Sequence, residues 1–343
     1  MSKTKTVIAI ASAAVVCGAA AFGAIALCNA AAKNRLAEKL EGDLLPAAPQ
    51  VSEEGRDCIH FLSTGSSDAI LLESDGHFAM VDAGEDTDNP RNLPGLELPG
   101  FEQEVLSYLK RHAADENGKV HLDFVLGTHA HSDHLGGFDT IIADPDVTVD
   151  RAYLKPYDAS KITENEIVEW DNQEVYDQMV QALEARGVPI VSEPSDEPFA
   201  FGNLTLTMFN TVDPVTQKKV GENDQSLCLL VEKNGTRVFL AADLDNKSGD
   251  ESRLAPLIGK VDLLKVGHHS YSGSSSAKFI RTLSPAACVV TNRYESMDRN
   301  TLSRIERICG PQFYVTGKEN GVLAVLGDDG DITYYGQIQP SAQ

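Results

Sequence analysis

The sequence predicts an α+β protein: a sandwich with two sheets inside and helices outside, carried behind an N-terminal apolar helix. Three observations lead there. The first is an N-terminal run, Thr6–Ala32, without a single charged residue. The second is a body in which apolar strand-like runs alternate with amphipathic helical stretches in two sets, with no linker between Asp57 and Tyr335. The third is composition: 343 residues at 42% apolar and 23% charged, ordinary for a globular chain and incompatible with wholesale disorder.

Taken in order, Thr6–Ala32 is long enough, at about 1.5 Å per helical residue, to cross a hydrocarbon core of about 30 Å. The run exceeds the apolar core of a cleaved secretory signal, so an uncleaved membrane anchor over residues 1–40 is the preferred reading. A cleaved signal or a buried soluble helix are its alternatives. Cys17 and Cys28 lack the small preceding residue of a lipoprotein signal. Residues 41–56, with Pro46, Pro49, Ser52 and Gly55, read as a tether. The catalytic body then spans residues 57–338. Cys58–Ser63, Ala69–Glu73 and His77–Val81 read as strands separated by Gly/Ser/Asp turns. Gly100–Arg111 has helical spacing in Phe101, Val105, Leu106 and Leu109. His121–Leu126 is a strand, and Ile162–Gly187 the longest helical stretch, stopped by Gly187. Phe199–Phe209, Leu227–Val231 and Arg237–Ala241 return to strand. Strand and helix then alternate through Val261–Val266, Ala277–Leu283, Ala287–Thr291, Thr301–Ile308, Gln312–Thr316 and Val322–Leu326.

Charge narrows the function. With 29 Lys+Arg against 51 Asp+Glu the formal charge is −22, which excludes a protein that holds nucleic-acid backbone by bulk attraction. The basic residues Lys3, Lys5, Lys33, Arg35 and Lys39 gather at the N-terminus, so the body is more acidic still. Six cysteines without a CxxC pair exclude a disulfide scaffold or zinc ribbon. Cys58, Cys228, Cys288 and Cys309 read as buried thiols, with a Cys288–Cys309 bridge open in an oxidising compartment.

The informative segment is Thr128-His-Ala-His-Ser-Asp-His-Leu-Gly-Gly137, directly after an apolar strand. Three imidazoles and a carboxylate packed this densely make metal ligands, against the bland reading of a solvated polar loop. His129 and His131, two apart in extended backbone, share a side. Asp133 and His134 open the next helix and can face a second ion. Asp243 ends the apolar strand Val238–Ala242, where a carboxylate can bridge two ions, and His268-His269 end another strand at Leu263–Val266. Alone, Asp243 would more often be a turn residue and the histidine pair an even choice; together with the His-rich segment they become ligand candidates.

HxHxDH followed by Asp and His at strand ends resembles the metallo-β-lactamase superfamily, over Asp57 to about Tyr335. The resemblance implies an αββα sandwich, with His129 and His131 on a first metal, Asp133, His134 and His268 on a second, and Asp243 between them. Val81-Asp82-Ala83-Gly84 matches the superfamily's early Asp-x-Gly, which implies that Asp82 orients ligand imidazoles without touching an ion. Ile59–Ala69, Asn223–Leu227 and Lys265–Ser270 further resemble the extracytoplasmic domain of competence DNA-uptake channel proteins and their stand-alone relatives, a group thought to cleave phosphodiesters. As there, no His lies between His134 and His268, so Asp224 stands as a substitute for the third histidine of the first metal, or that metal is weakly held. Ser296-Met297 replaces a His-Pro usual in that group.

The expected function is a metal-dependent hydrolase acting on a phosphodiester, small or nucleic acid. Two divalent ions, zinc by ligand type with manganese or iron as the alternatives, would share a water and lower its pKa toward neutrality. Asp133 and His269 are the expected catalytic groups, His269 as proton donor or else as a supporting imidazole. Ser270, with Ser272 and Gly273, would meet substrate phosphate, and Lys265, Lys278 and Arg293 would offset the acidic surface. Trp170 and its helix read as a surface-packed insertion. The competing classes are a carbonyl-ester hydrolase (lactam, lactone or thioester) and a fold-retaining binding domain. No protein partner is expected, and the enzyme would be anchored with its catalytic domain outside the membrane, or secreted if the N-terminus is cleaved.

Overall fold

The computed structural model describes residues 27–49, 55–87, 99–212 and 219–340. The expected anchor Thr6–Ala32 lies, up to residue 26, outside them. Residues 27–41 form a helix, α1, and among the described residues no helix is long and apolar enough to cross a membrane.

Two mixed sheets form the centre. The first has eight strands in the order β17 (Ile332–Gly336), β16 (Val322–Leu326), β1 (Asp57–Phe61), β2 (Ala69–Ser74), β3 (His77–Ala83), β5 (Phe124–Gly127), β7 (Ala152–Leu154), β8 (Ile190–Val191). The second has seven, in the order β15 (Gln312–Val315), β14 (Ala287–Val290), β13 (Leu263–Lys265), β12 (Thr236–Leu240), β11 (Cys228–Lys233), β10 (Leu204–Phe209), β9 (Phe199–Phe201). A separate pair joins β4 (Val120–Leu122) to β6 (Val147–Val149).

Alternation along the strands explains the layering. Ile59, Phe61, Ile70 and Leu72 of the first sheet meet Leu229, Val231, Val238 and Leu263 of the second in one apolar layer. The residues between them face outward: Leu71 and Met80 pack under α2 (Glu102–His112), α4 (Phe138–Ala143) and α6 (Asn172–Arg186). On the other side Leu230, Leu264, Cys288 and Val290 pack under α7 (Asp250–Ile258), α8 (Ala277–Leu283), α9 (Arg299–Ile308) and α1, whose Leu36 and Leu40 are buried there. Both faces of each sheet are thus covered, which is why central strands read as continuous apolar runs. The order helix, sheet, sheet, helix is the expected αββα sandwich.

Several expected elements differ in detail. His121–Leu126 is two strands: Asp123 breaks the run, its N–H donating to the Phe78 carbonyl at 2.8 Å, and β4 and β5 join different sheets. Ile162–Gly187 is two helices, α5 (Glu164–Glu169) and α6, because Trp170 is extended at φ −125°, ψ 129°. Gly187 does stop the second, in the left-handed conformation at φ 68° that glycine adopts without strain. Part of the stretch read as a tether is seated: Ala47 pairs with Gly336, and the Leu45 N–H donates to Glu319 at 2.8 Å. α1 is tied to α9 through Arg35 and Lys39, each 2.8 Å from Glu306.

The chain direction places chemistry at one edge. β3 and β5 are parallel, as are β12, β13 and β14, so their carboxyl ends emerge together. Asp82 lies in the last residues of β3, and Thr128–His134, which runs into the short helix α3 (Ser132–Leu135), Asp243, His268-His269 and Thr291 follow from the other ends.

Candidate metal centre

Four side chains converge at this edge. Ligand atoms of Asp133, His134, Asp243 and His269 lie within 4.8 Å of one another. His134 Nε2 is 3.2 Å from His269 Nε2, and Asp243 Oδ1 lies 3.3 Å from each. Asp133 Oδ2 is 3.4 Å from His269 Nε2. The far nitrogens are committed: His134 Nδ1 donates to Asp82 Oδ2 at 2.7 Å, and His269 Nδ1 donates to the Thr291 carbonyl at 3.0 Å. In the neutral rings both Nε2 atoms therefore carry lone pairs pointed at each other and at a buried carboxylate oxygen that accepts no hydrogen bond. Two bonds of about 2.0–2.1 Å to one tetrahedral zinc hold their nitrogens roughly 3.3 Å apart, close to the spacing observed. Imidazole and carboxylate donors fit a divalent cation here.

The electrostatics agree. Burial opposes charge on His134, but the Asp243 and Asp82 carboxylates outweigh it and lift its pKa to about 10. His269 is likewise raised well above its usual range by Asp243 and Asp68 against the same desolvation. Burial would raise Asp243, yet the imidazoles of His269, His134 and His268 hold it well below the usual carboxylate range. A proton here plays the part of a cation.

Asp82 has the supporting role expected of it. Besides His134 it accepts Thr128 N–H at 2.9 Å and Thr128 Oγ1 at 2.8 Å, fixing the segment that carries the histidines. Its own φ of 56° and that of Ala242 at 46° are left-handed, a strain that such sites tolerate when packing enforces it. Asp68 and Thr291 also belong to the site, though nothing in the order of residues around them marks either one. Asp68 pairs with Lys265 Nζ, which also donates to the Ala242 carbonyl at 2.8 Å and lies 3.5 Å from Asp243 Oδ1. Lys265 is fully buried, so it cannot meet a polyanion as expected; it is the counter-charge beneath the cluster.

His268 and His269 exchange their expected places. Left-handed backbone at His268, His269 and Ser270 (φ 50°, 48° and 75°) turns the second ring into the cluster and leaves the first at the cleft wall, 3.8 Å from Asp243 Oδ2. Apolar patterning carries no sign of such a turn. Ser270 is also displaced from its expected role: it is buried, and its Oγ accepts the Asp298 N–H at 3.0 Å.

The other pair, His129 and His131, stands beside this group. His129 Nε2 is 3.1 Å from His131 Nδ1, a second facing pair of nitrogens. Among the described residues, no set of three ligand atoms includes either one. Asp224 does not complete it. Its carboxylate meets Ser248 Oγ at 3.3 Å and is pushed up to about 8 by burial and by Asp245 and Asp250. The neighbouring Asn223 donates to His268 Nε2 at 3.3 Å.

A third group, Cys58, His60 and Glu73, also lies within 4.8 Å, under α2. There His60 Nε2 donates to Glu73 at 3.1 Å and Nδ1 accepts from Tyr108 OH at 2.7 Å, while burial lifts the Cys58 thiol to about 12. The imidazole is thus satisfied on both nitrogens, and the group reads as packing.

Above the cluster opens a cleft of about 750 Å³, with His131, Asp133, Asp243 and His268 among its lining. Phe101, Trp170 and Tyr271 give it aromatic walls, and Lys247 and Arg293 bring positive charge. Trp170 is no remote surface residue: its ring stacks on His131, centroids 5.3 Å apart at 24°. Arg293 packs over Gly65, where a Cβ would stand 3.3 Å from the guanidinium.

Residues 80–274 match a family model described as the Beta-lactamase superfamily domain. ComE operon protein 3 of Bacillus subtilis (strain 168) is 26% identical over 198 residues, and competence protein ComA of Neisseria gonorrhoeae 22% identical over 191. Each match covers 55% of this chain and 23% of the relative, so the chain spans about a quarter of the length of these proteins. The Zn2+-bound crystal structure of PqqB from Methylobacterium extorquens aligns with a TM-score of 0.42 and 14% identity, covering 72% of this chain and 84% of that one.

Proposed function

The chain belongs to the β-lactamase superfamily, and on that premise we propose that it is a metal-dependent phosphodiesterase. The observation that carries this is the set Asp133, His134, Asp243 and His269 at the floor of a cleft whose positive side chains are Arg293 and Lys247. Divalent ions, zinc or manganese, would supply Lewis acidity and a water of lowered pKa. The residues that would hold them are His129 and His131 in one position, and Asp133, His134 and His269 in the other, with Asp243 between.

The chain's own groups do the rest. Arg293 and Lys247 would hold the non-bridging oxygens of a phosphodiester, and Phe101, Trp170 and Tyr271 offer faces for aromatic substituents such as bases. Asp133 and Asp243 would orient the attacking water. As the P–O bond to the leaving group breaks, that oxygen would take its proton from water, with His268 at the cleft wall, a neutral imidazole whose pKa burial lowers, placed to position that water. The formal charge of −22 repels long polyanions elsewhere, so the substrate is a small phosphodiester or a nucleic-acid strand held at the cleft alone. The competence proteins among its relatives fit a nucleic-acid substrate. The part of the apolar run ahead of α1, from Thr6 to residue 26, would hold the enzyme on a membrane with the catalytic domain outside, since Ala32 is buried and Asn29 accepts from Arg307 at 2.6 Å.

The test is a small panel. The purified full chain, supplied with zinc or manganese, should hydrolyse bis-p-nitrophenyl phosphate, and chelation should stop it. Hydrolysis of nitrocefin or a lactone with the phosphodiester untouched would instead make it a carbonyl-ester hydrolase. No turnover of either class would favour the binding domain.

A further inference from the structure

The Glu166 carboxylate sits against His131, which the family resemblance implies for the first metal together with His129 and the shared Asp243. We propose that Glu166 is a positioning residue for that metal: it holds His131 in the tautomer and orientation that ligation requires. The inference rests on the two-metal reading above.

His131 Nε2 donates to Glu166 Oε1 at 3.1 Å, so the ring's lone pair lies on Nδ1, the atom facing His129 Nε2. His129 is set in the complementary way. Thr128 Oγ1 spends its proton on Asp82, so it accepts from His129 Nδ1 at 3.0 Å and leaves the lone pair on Nε2. The two rings therefore present lone pairs to each other, each oriented by a partner on its far nitrogen.

The helix that carries Glu166 is itself clamped. The same Oε1 accepts the Glu222 N–H at 2.7 Å, and Glu222 Oε1 accepts the Ala130 N–H, between the two histidines, at 3.1 Å. Gly221 makes the approach: a Cβ there would fall 2.8 Å from Glu166 Oε2. Trp170, at the end of the same helix, covers the outer face of the His131 ring. Helix α5 and the 221–222 loop thus both hold the 129–131 segment. With two imidazoles in place of three, affinity depends more on their being held ready, and losing such an orienting partner typically weakens a metal about tenfold to a hundredfold.

The experiment is a zinc titration of the full chain in detergent, against a chromophoric chelator, with the His131 tautomer read from long-range 1H–15N correlations. Wild type should bind two ions per chain, with His131 protonated on Nε2. Glu166→Ala should hold one ion unchanged, lose the other by about tenfold or more, and shift the His131 tautomer. Glu166→Gln, whose amide oxygen still accepts, should restore both. Two ions held unchanged in Glu166→Ala, or both weakened alike, would overturn the Glu166 role alone, whereas a wild type that binds one ion would overturn it by removing the two-metal reading beneath it. A wild type that binds none would defeat the two-metal reading itself.

Discussion

Lys265→Met would remove the positive charge beneath the metal cluster while keeping a side chain of similar length. The lysine is fully buried, paired with Asp68, bonded to the Ala242 carbonyl at 2.8 Å, and 3.5 Å from Asp243 Oδ1. Burial alone would lower its pKa, but Asp68 and Asp243 raise it, so it stays charged throughout the neutral range. At an effective dielectric of about 20, its attraction to Asp243 is on the order of 5 kcal/mol. Removing one partner from a buried pair costs roughly 3–5 kcal/mol, since Asp68 is then stranded. Without metal, the melting temperature should fall by about 4–7 °C. An added cation would take over part of the lost neutralisation, so zinc should raise the melting temperature of the variant more than that of wild type. Calorimetry of both proteins, in chelator and in zinc, measures this directly. Lys278→Met, at an exposed position, is the control and should shift stability by less than about 0.5 kcal/mol. A Lys265→Met protein that melts like wild type in chelator, or gains no more from zinc, would refute the counter-charge role.

Asp82→Asn keeps the shape but spoils an acceptor for Thr128 and His134, and should weaken the ion at the His134 position about tenfold to a hundredfold by chelator competition, with unchanged affinity contradicting its orienting role. His269→Ala should lose that ion outright, while His268→Ala should keep it and lower turnover by about a hundredfold or more; the opposite pattern would reverse the two assignments. Asp224, lifted to about 8 in the folded protein, keeps a proton that the unfolded chain releases near 4. Its contribution to stability therefore falls as pH rises between those values, and Asp224→Asn should flatten the decline of the urea midpoint from pH 5 to 8.5 measured in chelator. Parallel curves for the two proteins would count against the shift.

Much of this was legible in the sequence for physical reasons. Strands buried on both faces announce themselves as apolar runs, so Ala69–Glu73 and Val322–Leu326 are found almost residue for residue, and Cys58–Ser63 is shifted from the observed Asp57–Phe61. Ligands crowded into Thr128–Gly137 are conspicuous because imidazoles rarely cluster without a task. What patterning lacks is the backbone sign: left-handed residues at 268–270 decide which histidine enters the cluster, and nothing in their order says so. Long-range partners are hidden likewise. Asp68 and Lys265 lie far apart in sequence, and each alone reads as an ordinary charge; only the fold makes them a buried pair. Trp170 and Glu166 read as parts of a surface helix until the break at Trp170 turns them over His131.

The central claim is that Asp133, His134, Asp243 and His269 share a cation. Crystals of the zinc-loaded chain, measured on either side of the zinc absorption edge, locate every bound ion by its anomalous difference. The account predicts a strong peak at bonding distance from those four side chains, with another between His129 and His131. Peaks confined to other places, such as Cys58, His60 and Glu73, or those four ligands left without any peak, would contradict it.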